Sequence, residues 1–483
     1  MRLNLIIPCA GSGKRFVNAG YNVYKPFIEI NAKAMIDNVI GLFNRNVNVI
    51  IVASESHKED FQVYAESDRI NVLYIKDHKN GPAYSICKVR ELLKPNEAYF
   101  VSYNDIFWAW NFSNFLAFTE QKCPDVAVLT HIGFHPHLFK NNFSAFCRLN
   151  GNIISAIKEK DSFTSDWMNE HLSVGGFYFR KGEDLARVVK KLVDDNKRTA
   201  SEFYPSQSIN YLIDEGKQVL PYNVTKFIHW GIPEHIEDFY RWKRVMSDSA
   251  SQKIDINVCM MLCGTGERMR SISEVNKAGL IVGEDIKMYE YVLSKLGAKN
   301  ISLIVNDKVN EIVGEKNRKI NVKYSTVSQT DSLLHAQEEI KHMKNTLFTS
   351  NDCFGKFDIE RLKDFNNCDV VLFGFKPSLL QQKQENAHTY FNFDGESVTE
   401  ILIKTKSDDA YALAGMFYVP DGSIFEYIKD IDVTVYTSFD HFVKYLIEIG
   451  KHIKFVKMED YVHLGTVEEF NEFKYWQKFY NEN

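Results

Sequence analysis

Residues 8–26 read PCAGSGKRFVNAGYNVYKP, a glycine-rich turn directly after the apolar run LNLII, with Arg15 at the turn and Lys25 further on. An apolar run that feeds a glycine turn reads as a buried strand opening into a loop. Gly11 and Gly13 permit positive φ and close backbone approach, so consecutive N–H groups from Cys9, Ala10, Gly11, Ser12 and Gly13 could point at one anion. Arg15 and Lys25 add fixed and mobile positive charge. A plain tight turn is the alternative for these residues alone. The third glycine of GxGxxG is missing, which counts against a dinucleotide fold, and no GK[ST] follows, which excludes a P-loop.

A weaker copy, MLCGTGERMRSISEVNKAG, occupies residues 261–279. With the two glycine turns in register, later landmarks fall in the same order. AYFVSYNDIF aligns with NTLFTSNDCF, GGFYFRKG with AGMFYVPDG, INYLIDEGKQV with VKYLIEIGKHI, and FIHWGIPEHIEDFYRW with YVHLGTVEEFNEFKYW. The period is the size of a domain, not of a solenoid repeat. A tandem duplication is therefore expected, with domains at 1–246 and 254–483 and a polar linker at 247–253 (SDSASQK). Within each copy, short β-rich runs alternate with segments such as MIDNVIGLFNRN whose apolar residues recur three and four apart. That alternation predicts an α/β fold, a Rossmann-like, mostly parallel sheet flanked by helices, with the glycine turn at a carboxyl end where ligands bind.

Lysine and arginine number 58 against 63 acidic residues, so the net charge of -5 offers no basic excess for nucleic acid. The eight cysteines show no CxxC or zinc spacing, which points to a reducing, cytoplasmic compartment. No run approaches the ~18 apolar residues of a membrane span, so no membrane association is expected.

The motif PxAGxGxRF followed by AGYxxxKP resembles the nucleotidyltransferase family that couples NTPs to sugar phosphates and related phosphoesters. The resemblance is strongest to members found with capsule and surface-polysaccharide genes. It spans residues 1 to about 245, and more faintly 254–483, and it implies a GT-A-like sheet in each copy. It assigns Asp105 in SYNDIF to Mg2+ ligation, where an Asp at a strand end could otherwise only cap a helix. It makes Gly81 and Ala83 in NGPAYS candidates for base recognition, and Glu159, Lys160, Gly175 and Glu202 candidates for the acceptor side. In HWGIPE, relatives carry a metal-binding aspartate where this chain has His229. Imidazole suits Mg2+ poorly, so His229 reads first as a phosphate, nucleotide or acceptor contact, with metal ligation and a packed histidine as the alternatives.

The implied reaction joins an NTP and a phosphomonoester and releases pyrophosphate. A phosphomonoester is largely dianionic at neutral pH, so the nucleophile arrives charged and no general base is needed. The alternatives are a cytidylyltransferase acting on phosphocholine or glycerol phosphate, and a non-catalytic nucleotide sensor. The second copy keeps Gly264, Gly266, Arg268, Lys277, Asp352 and His463. It changes Ala10 to Cys263, Pro26 to Ala278, Lys14 to Glu267 and Gly81 to Ser328, and its counterpart of the Glu-Lys pair falls near Lys404-Thr405-Lys406. It is either a second transferase or a decayed, regulatory copy. The two copies could pair within one chain, or the chain could form a homo-oligomer.

Overall fold

A computed structural model describes residues 3–139, 144–247, 255–264, 266–273, 276–322, 326, 328–365, 367–384, 388–405 and 410–481. The chain divides into two compact units, Met1–Phe239 and Tyr240–Asn483. The division falls inside helix Pro233–Ser247, ahead of the polar stretch; of that stretch, residues 248–253 lie outside the described residues. The second unit claims the end of this helix because Trp242 stacks on Trp476 and the Arg244 guanidinium bonds Asp460.

The first unit is built on β1 (Leu3–Cys9), β2 (Glu29–Ile30), β3 (Lys33–Ala34), β4 (Asn48–Ser54), β5 (Ile70–Ile75), β6 (Ala98–Ser102), β7 (Ile106–Ala109), β8 (Val126–His131), β9 (Ala145–Asn150), β10 (Ile153–Glu159), β11 (His171–Phe179), β12 (Val219–Asn223) and β13 (Lys226–His229). Every residue of β1 is buried, as a central parallel strand covered on both faces requires. Leu5 pairs with Val49 on β4 and with Phe100 on β6, both parallel, and β5 continues the order beyond β4. Alternate residues serve two cores. Leu5, Ile7 and Phe100 face one that holds Phe43, Trp108 and Phe115, while Ile6, Val52 and Val101 face the other.

The expected mostly parallel sheet is found only in part. β11 runs antiparallel to β6, β8 and β9, and β9 and β10 form an antiparallel hairpin, so the sheet is mixed. The physical reason is the connections: Gly151, at φ 60, closes the β9–β10 turn, and no crossover α-helix separates β10 from β11. The reversed β11 carries Gly175 to the same sheet end as the loops after β1 and β6. β7 and β13 form a separate two-stranded ribbon in which His229 pairs with Ile106.

The second unit contains β14 (Asn257–Met261), β15 (Asn300–Val305), β16 (Arg318–Asn321), β17 (Lys344–Ser350), β18 (Cys353–Lys356), β19 (Val370–Phe375), β20 (Tyr390–Asp394), β21 (Ser397–Leu402), β22 (Tyr411–Asp421), β23 (Ile453–Lys457) and β24 (Glu459–His463). Its sheet runs β16-β15-β14-β17-β22, with the last of these antiparallel, just as the first unit runs β5-β4-β1-β6-β11. A β18–β24 ribbon pairs Cys353 with His463. Among the described residues no helix is long and apolar enough to cross a membrane.

Candidate active site

A cavity of about 430 Å³ opens in the first unit at the loops after β1 and β6. Ala10, Gly11, Ser12, Gly13, Arg15, Lys25, Gly81, Asp105, Glu159, Lys160, Gly175, Glu202 and His229 all line it. Cys9 and Ala83 do not: both are buried, Cys9 as the last residue of β1 and Ala83 inside helix Pro82–Val89, where its N–H donates to the Phe203 carbonyl. They support the wall without facing it.

Only Gly13 of the turn takes a left-handed φ, of 59°; Gly11 does not. A Cβ on Gly13 would lie 3.3 Å from the Lys25 Cβ, so glycine lets the loop close over the lysine. Tyr24 fixes this loop from below. Its hydroxyl donates to the Gly11 carbonyl at 2.7 Å and also sits on the Cys9 carbonyl, while its ring stacks on His57 at 3.6 Å.

Asp105 lies in the turn between β6 and β7, past the strand end where the sequence suggested it, and a strand rather than a helix follows, so it caps no helix. Lys25 Nζ donates to its Oδ2 at 2.5 Å, and His229 Nε2 stands 3.7 Å from the same oxygen. Burial pushes the Asp105 carboxyl upward, but the Lys25 ammonium and His229 outweigh it, and the group is held below its usual range. His229 is pushed down to about 4, first by burial and then by Lys25, with Asp105 opposing, so it is a neutral imidazole at pH 7.

The opposite wall joins two distant stretches. Phe203 N–H donates to the Asn80 carbonyl at 2.8 Å, and Gly81, at φ 87°, leaves room that a Cβ would lose, since it would lie 2.7 Å from the Glu202 Cβ. Lys160, itself at φ 58°, donates from Nζ to the Tyr204 hydroxyl at 2.5 Å, and that hydroxyl donates to Glu202. Glu159 accepts from Ser206. Its carboxyl is raised from 4.5 to about 7 by burial, against the smaller pulls of Ser206 and Lys160. An acid raised in the folded state loses native stability as pH climbs from the unfolded value through the folded one. We expect native stability to fall by up to about 3 kcal/mol between pH 4.5 and 8 from this group. Urea denaturation of Glu159→Gln at pH 5 and pH 8 should show that difference removed.

Sequence reasoning missed Tyr24, His78, Tyr103, Asn104 and Tyr204, which also line the cavity. One signal was available: Gly175 and Gly176 inside a strand. A Cβ on Gly175 would lie 2.6 Å from the Tyr103 ring, so glycine there marks the place where Tyr103 packs.

The second unit repeats part of this arrangement. Gly266 takes φ 68° with Lys277 behind it, and Lys277 Nζ donates to Asp352 Oδ2 at 2.5 Å. Gly264 is exposed, as is Arg268 in the turn Glu267–Met269. Ser328 replaces Gly81 without strain because its φ is -155° and its hydroxyl caps helix Gln329–Ile340. Lys404 takes φ 48°, like Lys160; Lys406 lies outside the described residues. The histidine differs in charge. His463 Nδ1 donates to Glu469 at 2.5 Å and Nε2 stands 3.3 Å from Asp352. Burial opposes its protonation, but Glu469 and Asp352 raise it to about 9. Asp352 is further occupied by Ser350, whose hydroxyl donates to Oδ1 at 2.6 Å.

The Asp105 carboxylate is an oxygen donor of the kind a hard divalent cation takes, and it lies on a cavity with room for phosphate oxygens and water. Among the described residues there is no group of three or more His, Cys, Asp or Glu that could hold a metal ion.

Residues 5–230 match the nucleotidyl transferase family model. The match begins in β1 and closes at Trp230, thus enclosing the glycine turn, Lys25, Asp105 and His229. Bifunctional protein GlmU of Caldicellulosiruptor saccharolyticus is 25% identical over 224 residues, covering 45% of this chain and 46% of that protein. The chain thus spans about half the length of this curated relative. A nucleoside-diphosphate-sugar pyrophosphorylase structure from Vibrio cholerae is similar at 16% identity and TM-score 0.41, covering 49% of this chain and 99% of that one. The inositol-1-phosphate CTP transferase of T. maritima is similar at 17% identity and TM-score 0.39, covering 49% and 91%. Within the nucleotidyl transferase match, the cavity wall made by Glu202 and Tyr204 and the ribbon that ends at His229 belong to the same segment as the opening motif.

Proposed function

We propose that the first unit transfers a nucleoside monophosphate from an NTP to a sugar phosphate or similar phosphomonoester, with release of pyrophosphate, using Mg2+ or a like cation. The observation that carries this reading is the Lys25–Asp105 pair on the floor of a cavity rimmed by the Gly13 turn. An acceptor phosphate oxygen forms a bond to the α phosphorus as the bond from that phosphorus to the β-phosphate oxygen breaks. Two anions must approach, so the protein's task is charge placement rather than proton removal. The turn amides and Arg15 face the β and γ phosphates; Lys25 leaves Asp105 to meet the α phosphate and the incoming oxygen. Asp105 would hold the divalent cation, which when bound would supply Lewis-acid polarisation of the phosphates. Gly81 and Pro82 face the base, and Lys160 with Glu202 and Tyr204 faces the acceptor.

The product would serve as an activated precursor for capsule or surface polysaccharide. A cytidylyltransferase acting on phosphocholine or glycerol phosphate uses the same chemistry, and a nucleotide sensor uses the same site without turnover. A screen of CTP, UTP, dTTP and GTP against a panel of hexose, heptose and small-alcohol phosphates, read as pyrophosphate, separates them: release with one pair is the expected result, and no release with any pair sinks the transferase reading.

For the second unit, the common strand order, the Gly266–Lys277–Asp352 arrangement and the positive φ of Lys404 support a tandem copy of the first. A regulatory role rather than a second catalytic one is favoured by the ring of donors around Asp352, which Ser350, Lys277 and His463 fill between them.

A further inference from the structure

The second unit changes what surrounds the carboxylate in the turn between β17 and β18. Two substitutions carry the change: Ser350 stands where the first unit has Tyr103, and Glu469 where it has His235. The Ser350 hydroxyl donates to Asp352 Oδ1 at 2.6 Å, Lys277 Nζ donates to Oδ2 at 2.5 Å, and His463 Nε2 lies 3.3 Å from Oδ2. Backbone closes the same oxygen: a Cβ on Gly465 would lie 2.3 Å from Asp352 Oδ2, so glycine alone lets the chain pass so near. Glu469 is held as firmly. Its Oε2 accepts from Thr466 at 2.8 Å and faces His463 Nδ1 at 2.5 Å, and its Oε1 accepts from Gln381 at 3.1 Å.

His463 therefore has a carboxylate oxygen against each ring nitrogen. Whichever nitrogen were bare would set a lone pair against an anion, so both carry protons and the ring is an imidazolium. That charge does two things. It repels a divalent cation, and it stays as counter-charge to Asp352 when Lys277 turns to a ligand. Asp105 has no such partner: its Oδ2 faces Lys25 and, at 3.7 Å, a His229 that burial keeps neutral. The second unit's residues thus do not fit the cation that the first unit's carboxylate would hold.

The anion-binding half of the arrangement is kept. Gly266 takes φ 68°, and a Cβ there would lie 3.1 Å from the Lys277 Cβ, so this turn also closes over its lysine. Arg268 follows, exposed and without an ion pair among the described residues, while Glu267, which replaces Lys14, reaches Arg270 at 3.6 Å. We infer that the second unit binds a phosphate-bearing small molecule as a bare anion, without a divalent cation, through Arg268, Lys277 and the turn at Gly266. The inference rests on the reading of this unit as a regulatory copy, and it names the regulator's chemistry.

The test is isothermal titration of the full chain with inorganic pyrophosphate, in EDTA and in excess Mg2+, for wild type, Arg15→Ala and Arg268→Ala. Circular dichroism serves as the control on folding. In EDTA, binding should survive Arg15→Ala and weaken at least about tenfold in Arg268→Ala, the loss of one charge-assisted contact. On the Arg15→Ala chain, Mg2+ should not tighten it. Glu469→Gln takes the carboxylate from one nitrogen of His463, and Mg2+ should then strengthen pyrophosphate binding severalfold, which a merely structural role would not produce. Should that variant unfold, the exposed Arg268 still decides. Arg268-dependent binding that requires Mg2+, EDTA binding that only Arg15→Ala weakens, or no binding in EDTA overturns the inference. The regulatory reading fails separately: pyrophosphate release from NTP that survives in Asp105→Ala removes it, whatever the titrations show.

Discussion

Lys25→Ala should lower pyrophosphate release by about 10² to 10³, the cost seen when one preorganised donor to a developing oxyanion is removed. Lys25 is placed for this by two constraints. Pro26 sets the short turn Lys25–Phe27, and the absence of a Cβ on Gly13 lets the glycine loop close on the Lys25 stem. In the free protein its ammonium also balances Asp105. The substitution therefore has a second signature. With the main counter-charge gone, burial drives the Asp105 carboxyl upward, and the acidic limb of the pH–rate profile should move to higher pH. Removing one partner of a largely buried pair also costs stability, up to about 3 to 5 kcal/mol for a fully buried one. Turnover is therefore measured on protein shown to be folded at the assay temperature. Lys25→Arg keeps the charge but not the compact ammonium, and should recover stability more fully than rate. A folded Lys25→Ala protein that retains near-full turnover would remove Lys25 from the reaction.

The site was legible wherever its geometry is local in the chain. The glycine turn, Arg15 and Lys25 lie in one short stretch, so the sequence places them together whether the turn binds an anion or only reverses the chain. Asp105 and His229 were legible as motif positions, but their meeting was not: it depends on the antiparallel β7–β13 ribbon, which pairs residues more than a hundred apart. Tyr204 and Glu202 facing Lys160, and Phe203 bonded to Asn80, depend likewise on tertiary approach. The direction of β11 was missed because alternating strand and helix patterns report periodicity, not strand polarity. Gly11 and Gly13 both permit positive φ, and the turn uses it only at Gly13. The two histidines are equivalent in the sequence, yet Glu469, six positions after His463, raises that ring, whereas His229 has no carboxylate at the matching place and burial lowers it.

That contrast predicts unequal effects for the two aspartates. Asp105→Ala should abolish pyrophosphate release to within assay background, a loss of at least about 10³, because it removes both the carboxylate for the cation and the counter-charge that orients Lys25. Asp352→Ala should leave release within about twofold. In the second unit the same carboxylate is hydrogen-bonded by Ser350, ion-paired with Lys277 and flanked by a His463 that Glu469 keeps protonated. Its oxygens are satisfied by protein donors, so a cation there would have to displace them and face an imidazolium. Removing Asp352 instead leaves the half-buried Lys277 ammonium without its carboxylate and His463 with Glu469 alone, which should appear as a lowered melting temperature of the second unit rather than as lost turnover. The sign of the pH effect follows. His463 is raised to about 9, so the network's stability is fully present below the unfolded histidine value of 6.5 and is lost as pH rises through about 9. Wild type should therefore lose second-unit stability between pH 7 and 10, and Asp352→Ala should show a smaller loss. Equal collapse of turnover in both variants would mean that the second unit catalyses as well, and that its ring of donors opens when substrate binds.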